Sequence, residues 1–409
     1  MYKVISYIGS KVKLFDFLNE NMFNNFDSNK KLFFYDGFAG TNSVSKFCLD
    51  NTKWDIYTND FMNYSFRLSH FLNFNKISIS KRANITKILI AINEKIAINE
   101  NLLRNGDIFN EFSINGKPKS IDSDIFTTIF DNQPFNSRMF FSEIVGIKID
   151  FIKNEIIKLK ENGLSEIETN ILMVFLLNYA DKNANTTSVY GAYLKNQKKT
   201  SSEKLFLDIK LLEQLNLEVI KQNKLNHFNL SILDFINKIS TNKSKNILYF
   251  DPPYSTRSYE SNYHILEYIS NFDFSHKEIK QNSKTGQSNL RKSNPFAKKR
   301  ETFSIFFSMI EEGIKKADNI FISYSTDGLM KEEDLNKIFS KLKEIYPKLE
   351  FLTYKKEYKR FKSADSIHKK KQEQNNKKDS KTVIIDKDIK GDSIQKELFE
   401  IIWHFRNNI

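Results

Sequence analysis

Asn246 to Phe250 reads NILYF, an unbroken apolar run that stops at Asp251-Pro252-Pro253-Tyr254. Five residues is strand length, and continuous apolarity without alternation marks a strand buried on both faces. Neither proline can donate to a sheet ladder, and each fixes its own φ and drives the residue before it out of helical geometry. The strand must end at Phe250, which leaves Asp251 and the neighbouring carbonyls as preset acceptors at its carboxyl end. Ligands of open α/β sheets bind at such ends.

Upstream, Lys31 to Tyr35 (KLFFY) closes on Asp36, and Gly37-Phe38-Ala39-Gly40-Thr41-Asn42 follows at once. The pattern predicts a strand, a glycine turn and a helix over Thr41 to Leu49, then a second strand at Asp55 to Thr58 that ends at Asn59-Asp60. So short a crossover implies a parallel, right-handed βαβ unit. Downstream, a helix at Glu301 to Ala317, a strand at Asn319 to Tyr324 and a helix at Lys331 to Ile345 continue the alternation. Between the two blocks, stretches such as Asn84 to Asn99 and Glu166 to Ala180 carry apolar residues at helical spacing. The expected fold is α/β: an open sheet over residues 1–75 and 226–409, split by a mostly helical insertion over 76–225. Residues 276–300 and 355–381, both strongly basic, are expected to be mobile loops.

With 40% hydrophobic residues and 14% aromatics, the 409-residue chain can bury a real core. No run approaches the ~18 apolar residues of a membrane span. Cys48 is the single cysteine, which rules out an internal disulfide and suits a reducing cytoplasm. No Cys/His cluster of metal-ligand type occurs. The expectation is a cytoplasmic, metal-free protein with no membrane partner. A net charge of +13 favours polyanions, although richness in Lys, Asn, Ile and Phe also follows from AT-rich coding.

The glycines of Asp36 to Asn42 let backbone N–H groups approach a ligand beside a helix N-terminus, which suits a phosphate or a carboxylate. Asp60 stands where an acid accepts hydrogen bonds from a ribose diol; capping the next helix is the other reading. Asp251, the Pro252 carbonyl and the Pro253-Tyr254 turn suit an aromatic amine. The lone pair of such an amine is delocalised into its ring, and two acceptors gripping its N–H groups favour a pyramidal nitrogen able to attack a sulfonium methyl. Tyr254 offers a flat face on which an extruded base could stack.

These segments resemble the DPPY-type N6-adenine DNA methyltransferases of restriction–modification systems. Tyr7-Ile8-Gly9-Ser10-Lys11 is similar to the N-terminal cofactor motif, Asp36 to Asn42 to the glycine loop, Asp60 to the ribose-binding acid, and Asp251 to Tyr254 to the catalytic motif. Asn185-Thr186-Thr187, Tyr190 to Lys195, Asn262 to Glu267 (NYHILE) and Ser323-Tyr324-Ser325 resemble a subset of that family. The resemblance implies a Rossmann-like, S-adenosylmethionine-dependent methyltransferase sheet, double-stranded DNA as substrate, and a cognate restriction endonuclease as a functional partner. It further implies that Tyr7, Gly9 and Lys11 hold the methionine end of S-adenosylmethionine with Asp36, Phe38, Ala39, Gly40 and Thr41 around it, and that Asp60 binds the ribose. Asp251 and Pro252 would hold the target amine, and the insertion would read the DNA sequence. Asn42 stands where the family carries a second glycine. Ser231 or Asn229 stands where it carries an acid for the cofactor's adenine.

Arg291, Lys292, Lys298, Lys299 and Arg300 follow the catalytic strand closely enough to touch phosphates. Arg138 with Phe140 and Phe141 reads as DNA contact or as core. His264 reads as a structural hydrogen bonder more than as a general base. Lys369-Lys370-Lys371 reads as a solvated cluster. The chain is therefore expected to methylate N6 of a flipped-out adenine. N4 of cytosine or an RNA amine is the alternative target, and a catalytically degenerate DNA-binding subunit the alternative class.

Overall fold

A computed structural model describes residues 3–98, 102–122, 137–198, 206–215, 223–254, 259–288, 294–357 and 399–407. Strands β1 (Phe33–Asp36), β2 (Asp55–Asn59), β3 (Leu225–Phe228), β4 (Asn246–Phe250), β5 (Asn319–Ser325), β6 (Leu349–Glu357) and β7 (Phe399–Asn407) form one sheet in the order β3-β2-β1-β4-β5-β7-β6. The first five run parallel, and β7 lies antiparallel to both β5 and β6. Crossovers leave β1 toward β2 and β4 toward β5, so they diverge between β1 and β4 and open a crevice at the carboxyl ends of the strands. Phe33 pairs with Asn246 and Asp36 with Tyr249, which brings Asp36 and Asp251 to the same rim of that crevice.

Side chains leave a strand alternately to its two faces, and the central strands are apolar in both directions. Phe34, Ile247 and Tyr249 pack on one face with Trp54, under helices α1 (Phe15–Asn21) and α2 (Ser43–Asn51). Tyr35, Leu248 and Phe250 pack on the other.

Helix α3 (Asn63–Ser69) precedes the expected insertion, which is largely helical in its described part: α4 (Ile79–Ile98), α5 (Asp107–Phe112), α6 (Glu143–Glu161) and α7 (Glu166–Asn183). Ser142 and Ser165 cap α6 and α7 by accepting from the Val145 and Glu168 N–H groups, each at 3.4 Å. From Glu168 to Ala180 α7 is buried on every side, as the central helix of a bundle must be.

Helices α8 (Ile232–Lys238), α9 (Tyr259–Ser270), α10 (Lys299–Ile314) and α11 (Glu332–Ile345) follow. Of these, α8, α10 and α11 cover the second face of the sheet. By contrast α9 turns Tyr263, Ile265, Leu266 and Ile269 into the core of the helical region. That region is thus assembled from segments on both sides of β4 in sequence, which the division at 76–225 does not capture.

Two further differences from expectation concern the basic stretches. Residues 276–288 hold fixed partners: Ile279 bridges Ser288, the Ser283 carbonyl accepts from Arg138 Nη2 at 2.8 Å, and the Thr285 carbonyl lies 2.7 Å from His264 Nε2. Residues 294–300 form a 3-10 turn at Pro295–Ala297 and the start of α10. Lys355 to Glu357 belong to β6, and 358–381, with Lys369 to Lys371, lie outside the described residues. Strands β3, β6 and β7 are not foreseen from the sequence pattern. Ile401, Trp403 and Phe405 face one side of the sheet and Ile402 the other, and each such buried apolar side chain contributes on the order of 1.5–3 kcal/mol. Among the described residues no helix is long and apolar enough to cross a membrane.

Candidate active site

The glycine loop follows directly from the end of β1. The Gly37 N–H donates to the Tyr249 carbonyl at 2.9 Å and the Ala39 N–H to the Asn59 carbonyl at 2.9 Å, tying the loop to β4 and β2. A Cβ on Gly37 would stand 2.6 Å from Phe250 Cδ1 and 2.7 Å from Ile232 Cδ1, so only glycine fits. Asn42, at the N-cap of α2, has φ 61° and is fully buried. Asparagine reaches that left-handed region more readily than most residues, and the turn is kept without the second glycine. The loop is also tethered to Asp60, whose Oδ2 accepts from the Gly40 N–H at 2.8 Å and whose Oδ1 accepts from the Met62 N–H at 2.9 Å. Asp60 therefore serves the backbone on both sides, including the start of α3.

The carboxyl end of β4 carries the second half. Asp251 Oδ1 lies 3.1 Å from Lys11 Nζ. The same ammonium donates to the Tyr254 hydroxyl at 2.7 Å and to Glu400 Oε1. Lys11 is 3% exposed. Glu400 is the second residue of β7, and Ser323 Oγ of β5 donates to its Oε1 at 3.3 Å. The Tyr254 ring meets Tyr324 edge to face at 5.2 Å.

Every residue expected around the cofactor lines one cavity in the crevice: Tyr7, Gly9, Lys11, Asp36, Phe38, Ala39, Gly40, Thr41, Asp60, Ser231 and Asp251, together with Pro253. Pro252 and Tyr254 are not among its lining residues. Phe61, Ile232, Phe296 and Ile305 are, and nothing in their sequence context marks them beyond apolarity. Phe296 meets Phe38 edge to face at 5.2 Å. Ser231 is exposed and caps α8, its hydroxyl accepting from the Asp234 N–H at 3.3 Å and donating to Asp234 Oδ2 at 2.7 Å. Asn229 Nδ2 donates to the Asp60 carbonyl at 2.8 Å.

Burial is the first cause of each carboxyl shift here. It lifts Asp36 to about 7 against a hydrogen bond from Ser45 Oγ at 2.6 Å, with the charges of Asp251 and Asp60 adding to the rise. Burial likewise lifts Asp251 to about 7; Lys11 opposes the shift and Glu400 reinforces it. Asp60 is raised by burial and held back by the backbone N–H groups of Met62 and Gly40. For Lys11 burial works against the charge, but Asp251, Tyr254 and Glu400 outweigh it and hold the ammonium well above its ordinary range. The site therefore keeps its cation and holds carboxyls that titrate near neutrality. Asp36 Oδ1 has no partner of hydrogen-bond geometry among the described residues.

Lys298, Lys299 and Arg300 are exposed at the start of α10, within a few residues of Phe296, and Lys298 pairs with Glu301 at 2.9 Å. Arg291 and Lys292 lie outside the described residues. Arg138, Phe140 and Phe141 are core, each 0% exposed. His264 is buried, with its ring nitrogens 2.7 Å from the Thr285 carbonyl and 3.2 Å from the Ser261 carbonyl. Burial pushes its pKa down to about 4. Asn185 ties its loop together by donating to the Met139 and Leu194 carbonyls, each at 3.0 Å, and the Tyr190 N–H donates to the Asn262 carbonyl of α9 at 2.8 Å. Among the described residues no group of His, Cys, Asp or Glu is arranged to hold a metal ion.

Comparison with known proteins bears on the family of the chain. A family model of D12 class N6 adenine-specific DNA methyltransferases matches residues 7–289. The type II methyltransferase M.NlaIII of Neisseria lactamica is 30% identical over 364 residues, which cover 88% of this chain and 93% of that protein. M.CviAII of Paramecium bursaria Chlorella virus 1 is 31% identical over 365 residues, covering 88% and 94%. M.FokI of Planomicrobium okeanokoites is 29% identical over 372 residues, and there the match covers 51% of the longer protein.

Proposed function

The chain belongs to the D12 class of N6 adenine-specific DNA methyltransferases, and from that premise we propose that the crevice between β1 and β4 is where cofactor and target adenine meet. It is a site-specific adenine DNA methyltransferase on a Rossmann-like sheet, and the family implies S-adenosylmethionine as methyl donor. The observation that carries the site assignment is the buried, partner-poor Asp36 beside the Gly37 to Thr41 loop, with Asp251 on the same rim.

That cavity suits a cofactor with an ammonium and a sulfonium. Among the described residues Asp36 Oδ1 has no partner of hydrogen-bond geometry, and Gly37 keeps the backbone clear of any side chain. Tyr7, Gly9 and the Phe38 to Thr41 backbone would hold the methionine end, Asp60 the ribose, and Phe61 and Ile232 the apolar flank of the adenine. The cofactor supplies an electrophilic methyl. Asp251 and the Pro252 carbonyl would accept the two N–H groups of the target amine and direct its lone pair toward that methyl. Tyr254 would stack on the base, which must leave the duplex to reach it. The helical region would read the DNA sequence, with residues 185–194 seated on α9 close to the catalytic turn. Lys298, Lys299 and Arg300 would touch phosphates. As in a type II system, a cognate restriction endonuclease would recognise the same site.

Labelled methyl transfer to duplex DNA, followed by digestion to nucleosides, tests the assignment. Asp251→Ala should lower the rate by on the order of 10³-fold while S-adenosylmethionine still binds. Undiminished N6-methyladenine in that variant would sink it.

A further inference from the structure

Glu400 lies far from every motif, yet its side chain completes the surroundings of Lys11. Lys11 donates to two protein oxygens, the Tyr254 hydroxyl and Glu400 Oε1, and its ammonium lies 3.1 Å from Asp251 Oδ1, an oxygen with no partner of hydrogen-bond geometry among the described residues. If Asp251 were the only counter-charge of Lys11, turning it to a target amine would strand a buried cation, which is strongly unfavourable. Glu400 removes that obstacle. It is 5% exposed, fixed in the sheet between β5 and β6, and further held by Ser323 Oγ.

We propose that Glu400 is a positioning residue for methyl transfer: it is the standing counter-charge of Lys11, so that Asp251 is released to accept the amine N–H while the ammonium stays on the Tyr254 hydroxyl. This rests on the reading that Asp251 grips the amine. It gives the strand β7 a part in the chemistry and gives Lys11 a role toward the protein's own groups. The titratable groups facing Asp251 are Lys11 from the N-terminal segment, Asp36 from β1, Tyr249 from β4, Tyr254, and Glu400 from β7. Taking one negative charge from this set makes Asp251 a weaker base.

The test compares full-length wild type, Glu400→Gln, Glu400→Asp and Asp251→Ala in single-turnover methyl transfer and in kcat/KM against pH, with S-adenosylmethionine binding measured by calorimetry. Glu400→Gln should slow transfer roughly 10–100-fold and move the acid limb of kcat/KM to lower pH, with cofactor affinity unchanged. Glu400→Asp, which keeps the charge, should return the limb to its wild-type position. A wild-type rate and an unmoved limb in Glu400→Gln overturn the inference, as does a parallel loss of rate and cofactor binding without a shift of the limb. Should Glu400→Gln fail to fold, Glu400→Ser carries the test in its place: it removes the carboxylate with a smaller side chain, and a wild-type rate with an unmoved limb there overturns the inference. Asp251→Ala separates the two levels. If it remains active, the underlying site reading fails; if it is inactive while Glu400→Gln is normal, only the role of Glu400 fails.

Discussion

Arg138 in the helical region and Lys11 at the rim of the sheet are both buried cations, 0% and 3% exposed, and their surroundings differ in kind. Arg138 pairs with one carboxylate, Glu111 Oε2 at 2.8 Å, and gives its other donors to the Glu111 and Ser283 carbonyls. Glu111 in turn accepts from the Lys119 and Ser120 N–H groups and the Ser120 hydroxyl. One charge meets one charge, and every nitrogen of the guanidinium and both oxygens of the carboxylate have a hydrogen-bond partner. Lys11 instead faces two carboxylates, the charge of Asp251 raises the cost of ionising Asp36, and Asp36 Oδ1 and Asp251 Oδ1 both lack a partner of hydrogen-bond geometry among the described residues. A balanced buried pair holds a fold together. An unbalanced cluster is tolerated only where a ligand completes it, which is why perturbed carboxyls gather at functional sites.

The largest expected effect tests the balanced side. Arg138→Met leaves Glu111 buried without its counter-charge and should cost about 3–5 kcal/mol in denaturant unfolding. Asp251→Asn, which still leaves Lys11 its Glu400, should cost far less; equal losses would erase the distinction between the two regions.

Next comes the pH dependence of the unbalanced side. Asp36 and Asp251 titrate near 7 in the free protein, and a cationic ligand favours their ionised forms. Affinity for S-adenosylmethionine should therefore weaken as pH falls below about 7, by up to ~10-fold per pH unit for each proton displaced. Calorimetry in buffers of different ionisation enthalpy would register the released protons. A pH-independent affinity would mean that the carboxyls do not face the cofactor.

Smaller is the stability effect of Asp36 in the ligand-free protein. Its folded pKa is raised, so its contribution is fully present below the unfolded value near 3.8 and is lost as pH rises through about 7. Asp36→Asn should flatten that trend and raise Tm at pH 8 by roughly 2–4 °C, as seen in thermal melts across pH. No change at pH 8 would indicate that the Ser45 hydroxyl already offsets the burial.

The smallest effect concerns the exposed cations. Lys299→Ala and Arg300→Ala should each lower the slope of log affinity against log salt by about 1, weakening all DNA sequences alike and leaving cofactor binding unchanged. An unaltered slope would remove the start of α10 from the DNA interface.

Much of the site was legible because its signals are local. The carboxyl end of β4 is fixed by two prolines, and β1 ends where Gly37 must let Phe250 and Ile232 pass. Asn42 could stand in for a glycine because its side chain tolerates positive φ. The reading was weaker where one residue serves two masters. Ser231 lines the cavity but is also the cap of α8, and Arg138 is basic and aromatic-flanked yet belongs to the core. The basic stretch 276–288 looks loop-like in composition, but its anchors are backbone carbonyls, which composition does not reveal.

By itself the sequence determined the α/β class, four of the five parallel strands, the Asp251-Pro252-Pro253-Tyr254 turn that ends β4, and the family, because strand period, proline geometry and glycine turns act over a handful of neighbouring residues. Only the tertiary structure decided that β7 enters the sheet between β5 and β6, that α9 joins the helical core, and that Glu400 meets Lys11 across 389 positions of chain. Pairings at that separation are selected by which surfaces the whole chain must bury together, and no local pattern encodes them.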